Sequence, residues 1–186
     1  MKIGITPRFQ RTPSGVEIYG YDKDLLQMLI NFEVTLLNPE LKNPLDYIDL
    51  LVLSGGPTPG EDPIRDAFEL QLIELAKFKR LSIIGICRGA EILAVSTGSE
   101  LIGINNHINS LRDLTNDIKP IGKCFHSYAI PHLNSEWEII SRDLVDRTIE
   151  IFKHKVFNFV GVMSHPERSD NPIEGLNLIM DILLND

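Results

Sequence analysis

Apolar and polar positions along the chain alternate between two rhythms. Short, nearly continuous apolar runs read as strands: KIGIT at 2–6, VTLLN at 34–38, IDLLVLSGG at 48–56 and LSIIGI at 81–86. The last has the composition of a strand at the centre of a parallel sheet covered on both faces. Between the runs lie segments with apolar residues at helical spacing. DKDLLQMLINF at 22–32 begins at Asp22, a candidate N-cap. IRDAFELQLIELAKFKR at 64–80 brings Phe68, Leu72, Leu75 and Ala76 to one side of a helix, after a loop, PTPGEDP. A further helix is predicted from about Arg88 to about Ser96. The second half is richer in strand-like segments (KCFHSYAI, WEIISRD, TIEIFKH and FNFVGVM), and NPIEGLNLIMDILLN closes the chain as a helix.

Strands alternating with helices, then a β-rich insertion and a return strand, predict an α/β fold: a doubly wound, mostly parallel sheet flanked by helices. The 186 residues suit one domain over 1–186, and no repeat or long linker divides them. Hydrophobic residues make up 43% and charged residues 24%, as in an ordinary globular protein. A net charge of −8, with no Lys/Arg cluster, argues against a nucleic-acid surface. The apolar runs are too short to span a bilayer, so no membrane partner is expected. Pro7 interrupts the N-terminal segment, which does not read as a signal peptide. Cys87 and Cys124 make no disulfide framework, and a reducing cytoplasm is the expected location.

In a sheet of this kind ligands bind beyond the carboxyl ends of the strands. Three features fall there. Gly85, Cys87 and Gly89 form G-x-C-x-G, the cysteine counterpart of the strand-to-helix elbow that carries a nucleophile. Gly55 and Gly56 end the preceding strand, and Ser164-His165-Pro166-Glu167 follow FNFVGVM. A thiol at a helix N-terminus is expected to ionise more readily, and an imidazole beside it can relay protons. His165 and Glu167, two apart on a segment that Pro166 keeps extended, are expected to project together. The amides of Gly56 and Arg88 would form an oxyanion hole. Packing accounts for a buried cysteine alone, and less readily for the whole set. No Cys/His cluster has zinc spacing and no glycine-rich phosphate loop occurs, so neither metal nor cofactor is expected.

These residues resemble the class I glutamine amidotransferase superfamily, whose Cys-His-Glu triad is similar to Cys87, His165 and Glu167. IGITPR, LSGG, RDAFE leading into GICRGAEIL, and GVMSHPER narrow the resemblance to free-standing γ-glutamyl hydrolases of the peptidase C26 type. Nearly the whole chain takes part. The resemblance implies a cysteine hydrolase that cleaves a γ-glutamyl amide bond through a γ-glutamyl thioester and releases glutamate. It also implies a small-molecule γ-glutamyl substrate bound near Gly55, Glu91, His126 and Ser127. Three departures stand out: Glu91 where the family usually has Gln, Ser164 where many members carry Trp, and a shorter chain. Compact members occur in polysaccharide modification, and the γ-glutamyl-CDP-amidate hydrolase type is similar around GVMSHPER.

Two other functions remain open: a glutaminase subunit that delivers ammonia to a separate synthetase, and a non-catalytic binding protein that keeps a vestigial triad. Association with a synthetase or as a homodimer is compatible with either. Asp66 and the Arg65–Glu69 pair suit the electrostatics of a helix start or a brace for the site loop. The Arg88 side chain suits a solvated face or a carboxylate contact. Cys124 reads as packing, His107 as a surface loop, and His132 and His154 as solvated or edge residues.

Overall fold

A computed structural model describes residues 1–185. The chain opens with β1 (Lys2–Ile5), followed by a hairpin of β2 (Arg8–Arg11) and β3 (Glu17–Gly20) that the hydrophobic pattern does not announce. Helix α1 (Lys23–Met28) starts at Asp22, whose carboxylate accepts the amides of Asp24 and Leu25, and it ends earlier than the apolar spacing predicts. Then come β4 (Glu33–Leu36), β5 (Leu50–Leu53), α2 (Pro63–Lys79), β6 (Ser82–Ile86) and α3 (Arg88–Val95). Asp62 caps α2 and Pro63 occupies its first turn, the expected start signal. The short strands β7 (Ile102–Gly103), β8 (Ile108–Ser110), β9 (Cys124–Phe125) and β10 (Tyr128–Ala129) form two small pairs, β10 with β7 and β8 with β9. β11 (Trp137–Arg142), β12 (Ile149–His154), β13 (Phe159–Val162) and α4 (Pro172–Leu184) complete the chain.

The main sheet has seven strands in the order β11-β12-β13-β6-β5-β1-β4. Neighbours from β13 to β4 pair in parallel, while β12 alone runs the opposite way and pairs antiparallel with both β13 and β11. Two segments read as insertion, WEIISRD and TIEIFKH, therefore extend the main sheet. In the all-buried β5, successive side chains serve opposite layers. Leu51 and Leu53 pack with Leu72, Ile73, Ala76 and Leu93 of α2 and α3. Leu50 and Val52 pack with Leu25, Met28, Ile179 and Leu183 of α1 and α4. This is a doubly wound sheet, and burying each such side chain contributes about 1.5–3 kcal/mol before entropy is counted.

The outer edge of β11 is covered at its carboxyl end. Thr115 accepts the Arg142 amide through its hydroxyl and donates its own amide to the Arg142 carbonyl, while the Asn116 side chain donates to Ile140. Register shifts flank Ser141 on the same strand.

At the centre, β13, β6 and β5 are adjacent and parallel, with Val162 opposite Ile86 and Leu53 opposite Gly85. Their carboxyl ends lie level, and from them emerge His165, Cys87 and Gly55.

Candidate active site

Cys87 stands between β6 and α3 with φ 53° and ψ −111°, a left-handed conformation rare for a residue with a Cβ. The flanking glycines make this turn possible. A Cβ on Gly85 would lie 2.4 Å from the Gly89 carbonyl oxygen, and one on Gly89 would lie 2.0 Å from that of Leu53. The amide of Cys87 donates to Val162 at 2.7 Å, tying the elbow to β13.

His165 and Glu167 do meet, through a route other than the predicted extended segment. Pro166–Arg168 form one 3₁₀ turn, with His165 as its N-cap. Curling the chain after His165 brings the Glu167 carboxylate back to the ring, Nδ1 to Oε1 at 2.5 Å. The other ring nitrogen, Nε2, is left facing the Gly55 side, 3.6 Å from where a Cβ on Gly55 would sit. His165 is itself held by a bridge to the insertion, its amide donating to the Lys123 carbonyl at 2.9 Å, and the Phe125 ring meets it edge-on.

The predicted easing of thiol ionisation does not hold for the free protein. Burial pushes the Cys87 thiol up to about 12, and the Glu91 carboxylate adds to the rise. The Arg88 amide at the helix start opposes it without prevailing. Cys87 is 3% exposed, and a site this dry favours the neutral thiol over the thiolate. Glu91, one turn into α3, is also buried, with Oε2 unpartnered. Burial raises its carboxyl to about 7, while the Arg88 charge and a hydrogen bond from Thr58 act against this.

The Arg88 side chain lies on no solvated face, and the carboxylates it contacts are the protein's own. It is fully buried and pairs with Glu69 and Asp66. Glu69 also receives Arg65 Nε at 3.0 Å and the Thr6 hydroxyl at 2.7 Å. Arg65 in turn donates to the carbonyls of Ser54 and Gly55. A Cβ on Gly56 would collide with this guanidinium at 2.2 Å. Arg65, Asp66, Glu69 and Arg88 thus brace the Gly55-Gly56 loop from below.

The hydrophobic pattern does not single out a second group. Arg8 donates to the Gly55 carbonyl and to Asp22, and Arg168, lying over the Phe125 ring, reaches the same Asp22 carboxylate. IGITPR and HPER carried the signal, but only the fold joins them. A concavity of about 770 Å³ lies beside the His165 turn, with Ile118, Lys123, Arg168 and Glu174 among its walls, and Cys87 is not one of its lining residues.

His126 and Ser127 separate. Ser127 is exposed, whereas His126 is buried with Nδ1 against the Tyr128 carbonyl and Nε2 against His107. His107, expected on a surface loop, is fully buried against Asp146. His154, expected at an edge, is packed against Trp137, Phe157 and Phe159, and its Nδ1 accepts the amides of Val156 and Phe157. His132 is exposed as expected. Among the described residues no helix is long and apolar enough to cross a membrane.

With this geometry in place, similarity to known proteins is informative. The family model for glutamine amidotransferase class-I matches residues 15–183. A gamma-glutamyl-CDP-amidate hydrolase of Campylobacter jejuni is 37% identical over 116 residues, 62% of this chain and 55% of that protein. A carbamoyl phosphate synthase small chain of Clostridium perfringens is 29% identical over 92% of this chain and 45% of its own length. The chain thus spans about half the length of the curated relatives it matches. Among solved structures, PurLQS from Thermotoga maritima superposes with a TM-score of 0.72 at 20% identity, covering 98% of both chains. A glutamine amidotransferase from the same organism gives 0.68 at 18% identity, over 98% of this chain and 83% of that one. The sheet order, the elbow and the extent of the family match lead to one conclusion: the chain belongs to the class-I glutamine amidotransferase family.

Proposed function

We propose that the protein is a cysteine hydrolase acting on a C–N bond, and that it cleaves a γ-glutamyl amide. The observation that carries this is the convergence of a strained Cys87 and a Glu167-held His165 on adjacent parallel strand ends, beside the Gly55-Gly56 loop. Packing alone gives no reason for a cysteine to occupy a left-handed turn.

In this reading Cys87 rests as a thiol. Its proton passes to His165 Nε2 as Sγ attacks the γ-carbonyl carbon, and the amides of Gly56 and Arg88 receive the developing oxyanion. The C–N bond then breaks and the same proton leaves on the amine, giving a γ-glutamyl thioester. Water attacks the thioester and gives a proton to Nε2, the C–S bond breaks to release glutamate, and Sγ takes that proton back from Nε2 to restore the thiol. Glu167 holds Nδ1–H, so Nε2 stays available throughout. Attack coupled to proton transfer fits a thiol that burial keeps neutral until substrate arrives.

The similarity to a gamma-glutamyl-CDP-amidate hydrolase favours a γ-glutamyl conjugate with a large leaving group over free glutamine. Glu91, in place of the usual Gln, and Ser164, in place of a larger ring, support the same choice. A glutaminase subunit serving a synthetase is the second reading, favoured by the breadth of the match to carbamoyl phosphate synthase small chains. The test is glutamate release from glutamine and from γ-glutamyl amidates, by the unaltered protein and by Cys87→Ala. Release from a conjugate, lost in Cys87→Ala, is expected. Turnover that survives Cys87→Ala defeats the mechanism, and preference for glutamine transfers support to the subunit reading.

A further inference from the structure

Beside the proposed triad, on the far side of β9, the fold gathers four side chains that the hydrolase reading leaves without a task. His107, Cys124, His126 and Glu150 are all buried, and one ligand atom from each lies within 4.8 Å of every other. They come from three stretches of the chain: the turn before β8, β9 with the turn after it, and β12 of the main sheet.

The hydrogen bonds at the rim of this cluster fix what its interior offers. His126 Nδ1 lies 2.6 Å from the Tyr128 carbonyl oxygen. A carbonyl only accepts, so Nδ1 carries the hydrogen and Nε2 presents a lone pair. His107 Nε2 lies 2.7 Å from an Asp146 carboxylate oxygen, so that nitrogen also donates and Nδ1 presents a lone pair. The two lone-pair nitrogens face each other at 3.3 Å. Glu150 Oε1 stands 3.5 Å from His107 Nδ1, and Glu150 Oε2 stands 3.6 Å from Cys124 Sγ. Two imidazole lone pairs, a carboxylate and a sulfur thus converge on one point without a donor between the nitrogens. In a dry interior two such lone pairs are relieved either by a proton on one ring or by a cation between them, and the thiol and carboxyl that complete the cluster suit the cation.

We propose that His107 Nδ1, His126 Nε2, Cys124 Sγ and Glu150 bind one transition-metal ion of the zinc type. The spacings suit it. Bond lengths of about 2.0–2.1 Å to nitrogen and 2.3 Å to sulfur around a tetrahedral centre separate two nitrogens by about 3.3 Å and a sulfur from an oxygen by about 3.5 Å. A thiolate with two imidazoles selects zinc and its neighbours over magnesium or calcium, whose ligands are oxygens. Outer partners are in place too. Asp146 and the Tyr128 carbonyl orient the two imidazoles, and the Thr148 hydroxyl reaches both Asp146 and Glu150. Four protein ligands and full burial make this a closed, structural site. On binding, the Cys124 thiol gives up its proton and the ion takes the sulfur lone pair.

The ion would staple the insertion to the sheet beside His165. The Lys123 carbonyl, next to Cys124, accepts the His165 amide, and the Glu150 carbonyl accepts that of Met163 at the end of β13. The two segments that hold His165 are therefore joined through the ion. The site does not depend on the hydrolase reading, since metal binding is measured apart from turnover.

The experiment is elemental analysis of the purified full chain, followed by chelator stripping and titration with Zn²⁺ and Co²⁺. One ion per chain is expected, with a lower thermal midpoint after stripping that returns on adding Zn²⁺. Co²⁺ should give the strong visible bands of a tetrahedral ion and a near-ultraviolet thiolate-to-metal band. Cys124→Ser should lose the thiolate band, whereas Cys87→Ser should retain it. Asp146→Asn, which keeps all four ligands, should weaken binding by about 10- to 100-fold. A chain that is metal-free as purified and takes up neither ion overturns the proposal without recourse to any variant. So does a thiolate band that survives Cys124→Ser.

Discussion

At the scale of single residues, burial and the Glu91 carboxylate on α3 decide how Cys87 behaves. The elbow was legible in the sequence because Gly-x-Cys-x-Gly requires glycine on both sides: at Gly85 and Gly89 a Cβ would strike backbone. The state of the thiol was not legible. A helix start favours the anion, but how dry the turn is and what Glu91 faces depend on packing from other segments. Glu91→Gln removes the charge that adds to the thiol's resistance to ionise. The expected outcome is alkylation of Cys87 by iodoacetamide about five- to tenfold faster above pH 7, where Glu91 is ionised, with the difference shrinking at lower pH. An unchanged rate across the pH range would mean that Glu91 does not influence the sulfur.

At the scale of elements, α2 is the part that the loop at Gly55 leans on. The Arg65–Glu69 pair could be read from its spacing of four, since such residues stack on a helix face. Its purpose could not, because Thr6, Ser54 and Arg88 reach it from three other segments. The same limit explains His165 and Glu167. Proline predicted an extended chain, whereas the 3₁₀ turn is fixed by docking against Lys123 and α4. The cluster around Cys124 was hidden for a related reason, as His107 and Glu150 join Cys124 and His126 from segments far along the chain. Glu69→Ala leaves two buried guanidiniums short of a partner and should destabilise the fold by about 3–5 kcal/mol, read by urea unfolding. A loss below about 1 kcal/mol would show that water enters the network and takes over.

At the scale of the whole molecule, the alternation of strands and helices was sufficient to predict the doubly wound sheet, because its central strands are apolar on both faces. The hairpin β2–β3 and the sheet's antiparallel extension were less legible, since their half-exposed strands carry mixed patterns. Buried acid also sets how stability follows pH. The Glu91 carboxyl titrates near 7 in the folded chain and near its ordinary value when unfolded. The folded state therefore holds the extra proton between about pH 4.5 and 7, and this group's contribution is lost as pH rises through 7. Glu91→Gln should flatten that decline by up to about 3 kcal/mol, measured as the difference between the two urea-unfolding profiles at pH 5 and pH 8. A sheet is also a template for its own growth, and each exposed border invites another chain to add a strand. At β11 that invitation is withdrawn, because Thr115 and Asn116 already occupy the outward groups of Ile140 and Arg142 and the register shifts at Ser141 spoil a straight match. Two copies of this protein that meet cannot continue the sheet across the end of that border at Ile140 and Arg142, so crowding there leads to contact between side chains and not to a shared ladder.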